Sequence, residues 1–152
     1  MTYEYRSAPL TAEQDGNPAV VVHCSDPRYQ PHFQDFLRRG LKIDRYALVA
    51  VPGGAQCFTL AEYLPKFSWA GWRWMKFMVN LTRPSRIILI AHDDCRWYIE
   101  NRFVHDPSVL REQQIVDLRR ARTDLTQRFG PVPIEMFFAR LSGDAAQFER
   151  VT

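Results

Sequence analysis

Two groups of residues in this 152-residue chain carry ligand chemistry at tight spacing. The first is Cys24, Asp26 and Arg28: a soft thiol, a carboxylate and a guanidinium at alternate positions. The second is His92 with Cys95, separated by Asp93 and Asp94. Two thiolates and one imidazole, from Cys24, His92 and Cys95, form a donor set that suits zinc. Three protein ligands leave one position of a tetrahedral ion open, as in catalytic rather than structural zinc sites. Two thiolates also cancel the charge of Zn2+. A bound water is then less acidified than beside neutral ligands, and a nearby cation favours hydroxide. Asp26 and Arg28 are the candidate catalytic residues. An Arg fork holds a carboxylate bidentately and keeps it ionised. Held that way, Asp26 can accept a hydrogen bond from metal-bound water; released, it can become the fourth ligand and close the site.

These residues need a frame that brings position 24 to positions 92–95. Each group stands at the end of a short uncharged run, Ala19–Val22 in one case and Ile87–Ala91 in the other. Such runs read as strands buried on both faces of a parallel sheet. In parallel α/β sheets, ligands bind at the carboxyl ends of the strands. A further strand is expected at Tyr46–Val51, ending in Pro52-Gly53-Gly54, a loop with backbone freedom. The last is expected at about Ile134–Leu141. Helical patterns lie between the strands. Pro31 opens one that contains Phe33, Phe36 and Leu37 and stops near Gly40. Residues 57–82 form a second, broken near Pro65, with Phe67, Ala70, Trp74, Phe77, Met78 and Leu81 along one face. Trp69 and Trp72 fall partly outside that face and suit either a core cap or an interface. Asp106-Pro107 starts a third helix, whose stripe is Ile115, Leu118, Ala121, Leu125 and Phe129, and Gly130-Pro131 ends it. Thr11 to Gln14 weakly fits a capping box in an N-terminal arm or short helix. The alternation of strand and helix implies one α/β domain over residues 1–152, with a mainly parallel central sheet and helices on both faces.

Composition narrows the function classes. Apolar residues make up 46% and aromatic residues 13%, so the chain folds rather than remaining disordered. Net charge is only +3. Arg119, Arg120 and Arg122 cluster, but Glu112, Asp117 and Asp124 dilute them, which reads as a solvated helix face and not a nucleic-acid patch. No apolar run is long enough to span a membrane, and residues 1–14 lack the apolar core of a secretory signal. A cytoplasmic location is expected, where the three cysteines serve as thiols or ligands and not as disulfides. Of the other candidates, Cys57 reads as a buried free thiol; as a fourth ligand it would make a closed structural site. His23 points away from Cys24 as a packed core residue. His32 and His105 belong to the surface. Asp93 and Asp94 suit hydrogen-bond acceptors behind the ligands or a helix cap, the cap being expected of Asp94.

Cys24-x-Asp26-x-Arg28 followed by His92-x-x-Cys95 resembles the zinc-binding pattern of the β-class carbonic anhydrases. The apolar run before each motif matches as well, as does a late strand at Met136–Leu141 followed by Ser142-Gly143. The resemblance covers residues 18–100 well and the rest only as a pattern. It implies a sheet of about four parallel strands in the order 2-1-3-4, often with an added edge strand, in a three-layer domain. It implies zinc on Cys24, His92 and Cys95, catalytic roles for Asp26 and Arg28, and a homodimer. The implied reaction is that of a carbonate dehydratase, a zinc lyase: zinc-bound hydroxide attacks carbon dioxide to give bicarbonate. The chain departs from the pattern at Ala91 and Arg96, where the family has glycine. It departs again at Val51-Pro52, where the family has an Arg-Asn-like pair. These departures keep two alternatives in view: a zinc-binding relative without hydratase activity, and a hydrolase of a sulfur analogue such as carbonyl sulfide or carbon disulfide.

Overall fold

A computed structural model describes residues 4–8 and 18–152. The capping pattern at Thr11–Gln14 lies outside the described residues. Five strands form one sheet in the order β2-β1-β3-β4-β5. They are β1 (Ala19–His23), β2 (Tyr46–Ala50), β3 (Ile87–His92), β4 (Ile134–Ser142) and β5 (Ala145–Val151). The first four run parallel, and β5 returns antiparallel to β4. The expected order 2-1-3-4 is therefore present, with one edge strand added.

The two strands that end in ligands are neighbours. β1 pairs directly with β3, with Val20 opposite Ile87 and His23 opposite Ile90. Every residue of β1 is buried, as are five of the six in β3. Burying one such Val or Ile side chain contributes roughly 1.5–3 kcal/mol. These central strands therefore make a stiff base from which the polar ends project. Alternate side chains feed two cores. Val20, Val22, Ile87, Leu89, Met136 and Phe138 face one side. Val21, Ile88, Ile90, Phe137 and Ala139 face the other. The period of two is that of a sheet covered on both faces.

Helix α1 (Gln30–Asp35) continues into a wider π turn over Phe36–Gly40. With Tyr29, Phe33 and Leu37 it covers the second core. Helices α2 (Pro65–Thr82) and α4 (Leu110–Phe129) cover the first, with a 3-10 turn at Gly54–Phe58 beneath them. The short α3 (Arg96–Glu100) starts directly after Cys95. The break expected near Pro65 is real: the proline takes the first turn of α2, and residues 59–64 are turns rather than helix. Asp106 accepts a hydrogen bond from the Ser108 amide at 2.9 Å, capping a 3-10 turn at Pro107–Val109 that leads into α4. None of the helices among the described residues is long and apolar enough to cross a membrane.

The expected face of α2 needs correction. Phe67, Trp74, Phe77 and Leu81 lie along one side, but all four are exposed. The buried side is Ser68, Gly71 and Met75. Gly71 decides this, because a Cβ there would stand 2.8 Å from Cys57 Sγ. The helix approaches the 3-10 turn through its small residues and turns its large apolar ones outward. Trp72 is half-buried against Phe58, whereas Trp69 is exposed.

Candidate metal centre

Cys24 follows β1 directly, His92 is the last residue of β3, and Cys95 is the N-cap of α3. All three are buried, and one ligand atom from each falls within 4.8 Å of the others. The two Sγ atoms are 4.0 Å apart. With Zn–S bonds of about 2.3 Å, the edge of a tetrahedral site is about 3.8 Å. The spacing thus suits a shared ion and is far too long for a disulfide.

His92 is set up as a ligand by its own loop. Its Nδ1–H donates to the Asp93 carbonyl at 2.7 Å, which fixes the tautomer and leaves a lone pair on Nε2. That Nε2 is buried and has no hydrogen-bond partner. Buried polar atoms without partners are rare and costly, about 1–3 kcal/mol each, unless something completes them. The ring is held against Tyr29, 4.2 Å between centroids. The thiols behave as a pair. A hydrogen bond from Cys95 is the main influence holding Cys24 below the usual thiol range, and the same interaction with burial pushes Cys95 up. A divalent cation bound between the two sulfurs would displace their protons. The donors therefore fit zinc in type and spacing.

Asp26 and Arg28 meet as expected, and Arg28 does more. Its Nε and NH2 grip both Asp26 oxygens at 2.7–3.2 Å, and the Arg28 amide donates to Asp26 Oδ1 at 2.9 Å. These bonds hold the Asp26 carboxyl below the usual range. Asp26 contributes no atom to the three-residue ligand cluster. The other side of the guanidinium reaches Asp94, with NH1 on Oδ2 and NH2 on the backbone carbonyl, each at 2.9 Å. Arg28 thus ties the loop after β1 to the loop after β3. Asp94 is not the helix cap expected from the sequence: Cys95 takes that position without a side-chain cap. Asp94 instead adopts φ +49°, and its carboxylate pairs with Arg28 and, at 3.6 Å, with Arg96.

The Gly53-Gly54 loop forms the third wall. Both glycines have positive φ, and a Cβ on Gly54 would lie 3.0 Å from the Cys24 amide nitrogen. A Cβ on Gly53 would lie 2.4 Å from Trp97 Cδ1. The Trp97 indole rests there, and its N–H donates to Gln56 Oε1 at 2.7 Å. Before these atoms lies an open cleft of about 430 Å³, whose lining includes Cys24, Asp26, Arg28, Pro52 and Trp97. Cys57 stays outside the cluster. It is buried, and burial pushes its thiol up to about 12, as fits an inert core residue. His23 is also as expected: buried, against Phe33, with Nδ1 donating to the Cys24 carbonyl at 2.8 Å. His105 is exposed and His32 half-buried.

Sequence reasoning missed several supports. Gln30 Nε2 donates to the carbonyls of Cys24 and Asp26, at 3.0 and 2.8 Å. Gln114, on α4, donates to the His92 carbonyl at 2.7 Å. Asp117, which the sequence assigns to a solvated face, is buried and accepts from the Tyr98 hydroxyl at 2.7 Å. Polar residues inside an apolar helical stripe were the available signal for the last two.

No family model matches the sequence, and no curated protein matches it significantly. Solved structures do. The β-carbonic anhydrase isoform I of the protozoan Trichomonas vaginalis is similar over 92% of this chain and 87% of its own, at 10% identity, with a TM-score of 0.50. The carbonic anhydrase of Streptococcus mutans is similar over 93% and 87%, at 13% identity, with a TM-score of 0.48. At such identities the likeness is one of architecture. Over nine-tenths of its length the chain has the fold of a β-carbonic anhydrase, with a buried Cys-His-Cys cluster gathered at the carboxyl ends of β1 and β3.

Proposed function

We propose that the protein is a zinc enzyme that hydrates carbon dioxide to bicarbonate, with Cys24, His92 and Cys95 as ligands and Asp26 and Arg28 as catalytic residues. The observation that carries this reading is the buried, unpartnered His92 Nε2 beside the thiol pair, with Asp26 held outside the ligand cluster by Arg28. Zinc at this cluster would supply an electrophilic centre that makes a water nucleophilic near neutral pH.

The protein's own groups account for the rest. Arg28 keeps Asp26 ionised and oriented, so that a carboxylate oxygen can accept a proton or hydrogen bond at the cleft. Pro52 and Trp97 present apolar surface to the cleft, suited to a small uncharged linear substrate. The outward stripe of α2 and the edge of β2, which pairs only with β1 among the described residues and where Leu48 is partly exposed, support a homodimer in which a second copy covers both.

A second reading is favoured by one observation. Trp97 packs onto Gly53 at the mouth of the cleft and is fixed by Gln56, which narrows the approach. On that reading the protein holds zinc without hydrating carbon dioxide, or accepts a sulfur analogue. Stopped-flow hydration of carbon dioxide by zinc-loaded protein across pH separates the readings, with carbonyl sulfide as a parallel substrate. Catalysis that rises with pH and disappears in Cys24→Ser supports the hydratase. Full zinc occupancy without turnover supports the second reading.

A further inference from the structure

The segment from His92 to Cys95 carries two of the three ligands, yet the sheet holds little of it. The last sheet-edge contact is the Asp93 amide donating to the Ala139 carbonyl at 2.8 Å. Beyond that, Asp94 has a left-handed backbone, which costs a residue with a side chain about 1 kcal/mol or more. Helix α4 packs beside this segment and aims two polar side chains at it from a buried face. Gln114, 2% exposed, donates to the His92 carbonyl at 2.7 Å. Asp117, three residues on and therefore on the same face, accepts the Tyr98 hydroxyl at 2.7 Å. Tyr98 packs in one buried cluster with Cys24 and Cys95. Gln114 and Asp117 interrupt an otherwise apolar stripe of Leu110, Leu118, Ala121 and Leu125. Leucine would pack there without the desolvation cost that a buried amide or carboxylate carries. What the polar pair provides is a fixed position for the two ends of the ligand loop.

We infer that Gln114 and Asp117 of α4 are positioning residues for the metal site, Gln114 acting on His92 through its carbonyl and Asp117 acting on Cys95 through Tyr98. The inference rests on the metal-binding reading above. Groups that orient ligands from the next layer are worth about 10–100-fold in metal affinity. Deleting either contact loosens one ligand while leaving all three in the chain.

Cobalt(II) is the probe, because thiolate-to-cobalt absorption reports the ligands directly. Wild type, Tyr98→Phe, Gln114→Leu and Asp117→Asn are loaded with cobalt and titrated against a chelator of known affinity. The metal-free melting temperature of each is recorded alongside. Tyr98→Phe and Gln114→Leu are expected to bind cobalt about 10–100-fold more weakly and to show altered absorption bands. Asp117→Asn keeps an oxygen that accepts the Tyr98 hydroxyl and is expected to bind as wild type does. If Gln114→Leu does not fold, Tyr98→Phe decides alone, since it removes a single oxygen. Wild-type affinity and bands in Tyr98→Phe overturn the inference. So does a loss of affinity in Tyr98→Phe that merely follows a drop in metal-free melting temperature. Wild-type protein that takes up no cobalt overturns the metal-binding reading itself, and this inference with it.

Discussion

The Arg28 guanidinium reaches both ligand-bearing loops at once, through Asp26 on one side and Asp94 on the other. Alternate spacing of Cys24, Asp26 and Arg28 at a strand end was enough to pair the first two charged groups from sequence. The link to Asp94 was not legible, because it joins residues far apart in the chain and depends on a left-handed backbone at Asp94. Replacing Arg28 with Ala leaves Asp26 a carboxylate without its partner in a partly buried position, an arrangement that costs stability unless a new cation is found. The ligand cluster is the nearest place for such a cation. Arg28→Ala is therefore expected to keep about one zinc per chain while carbon dioxide hydration falls by orders of magnitude. Asp26→Asn lacks the charge to occupy the metal and is expected to lose proton acceptance instead. Arg28→Ala protein that loses zinc, or that keeps full activity, would make Arg28 a structural tie only.

At the scale of elements, the four parallel strands were legible, whereas the edge strand and one helix orientation were not. Ala19–Val22 and Ile87–Ala91 are uncharged runs, and central parallel strands leave such runs no other place than the interior. The apolar stripe of α2 obeyed the right period but pointed outward, since periodicity locates a face without saying what covers it. The deciding residue was Gly71, whose lack of a side chain lets α2 approach Cys57. Gly71→Ala tests this. Ala gains about 1 kcal/mol over Gly in a helix interior, but overpacking a close contact costs about 1–3 kcal/mol. A net loss of stability is expected from Gly71→Ala alone. In a Cys57→Ala background, where the sulfur is gone, the same change is expected to be neutral or stabilising. A double-mutant cycle by denaturant unfolding reads the coupling directly; no coupling would remove Gly71 as the reason for the orientation. Strand β5 was not assigned from its residues because most of Ala145–Val151 is solvent-exposed or half-exposed, so no continuous apolar run marks it.

For the whole molecule, the outward stripe of α2 gathers four large apolar side chains on one exposed face. Phe67, Trp74, Phe77 and Leu81 are each 47–67% exposed on one helix. The homodimer proposed above predicts a sedimentation mass of two chains at micromolar concentration. Trp74→Glu with Phe77→Glu is expected to give single chains with metal content unchanged, and a monomeric wild type would leave the stripe without the proposed partner. The grouping of Cys24, His92 and Cys95, by contrast, was legible in the sequence, because chemistry-bearing residues stand at the ends of its two most apolar runs; the strand order followed only from the resemblance to the β-class carbonic anhydrases. The gathering of those residues around one ion is the claim on which the functional reading depends. The most direct test is zinc K-edge X-ray absorption, with elemental analysis, on protein purified without added metal or chelator. The expected result is about one zinc per chain with two sulfur neighbours near 2.3 Å and a nitrogen near 2.0–2.1 Å, reduced to one sulfur or no metal in Cys95→Ser. Protein that carries no zinc and takes none up, or zinc without sulfur neighbours, would contradict it.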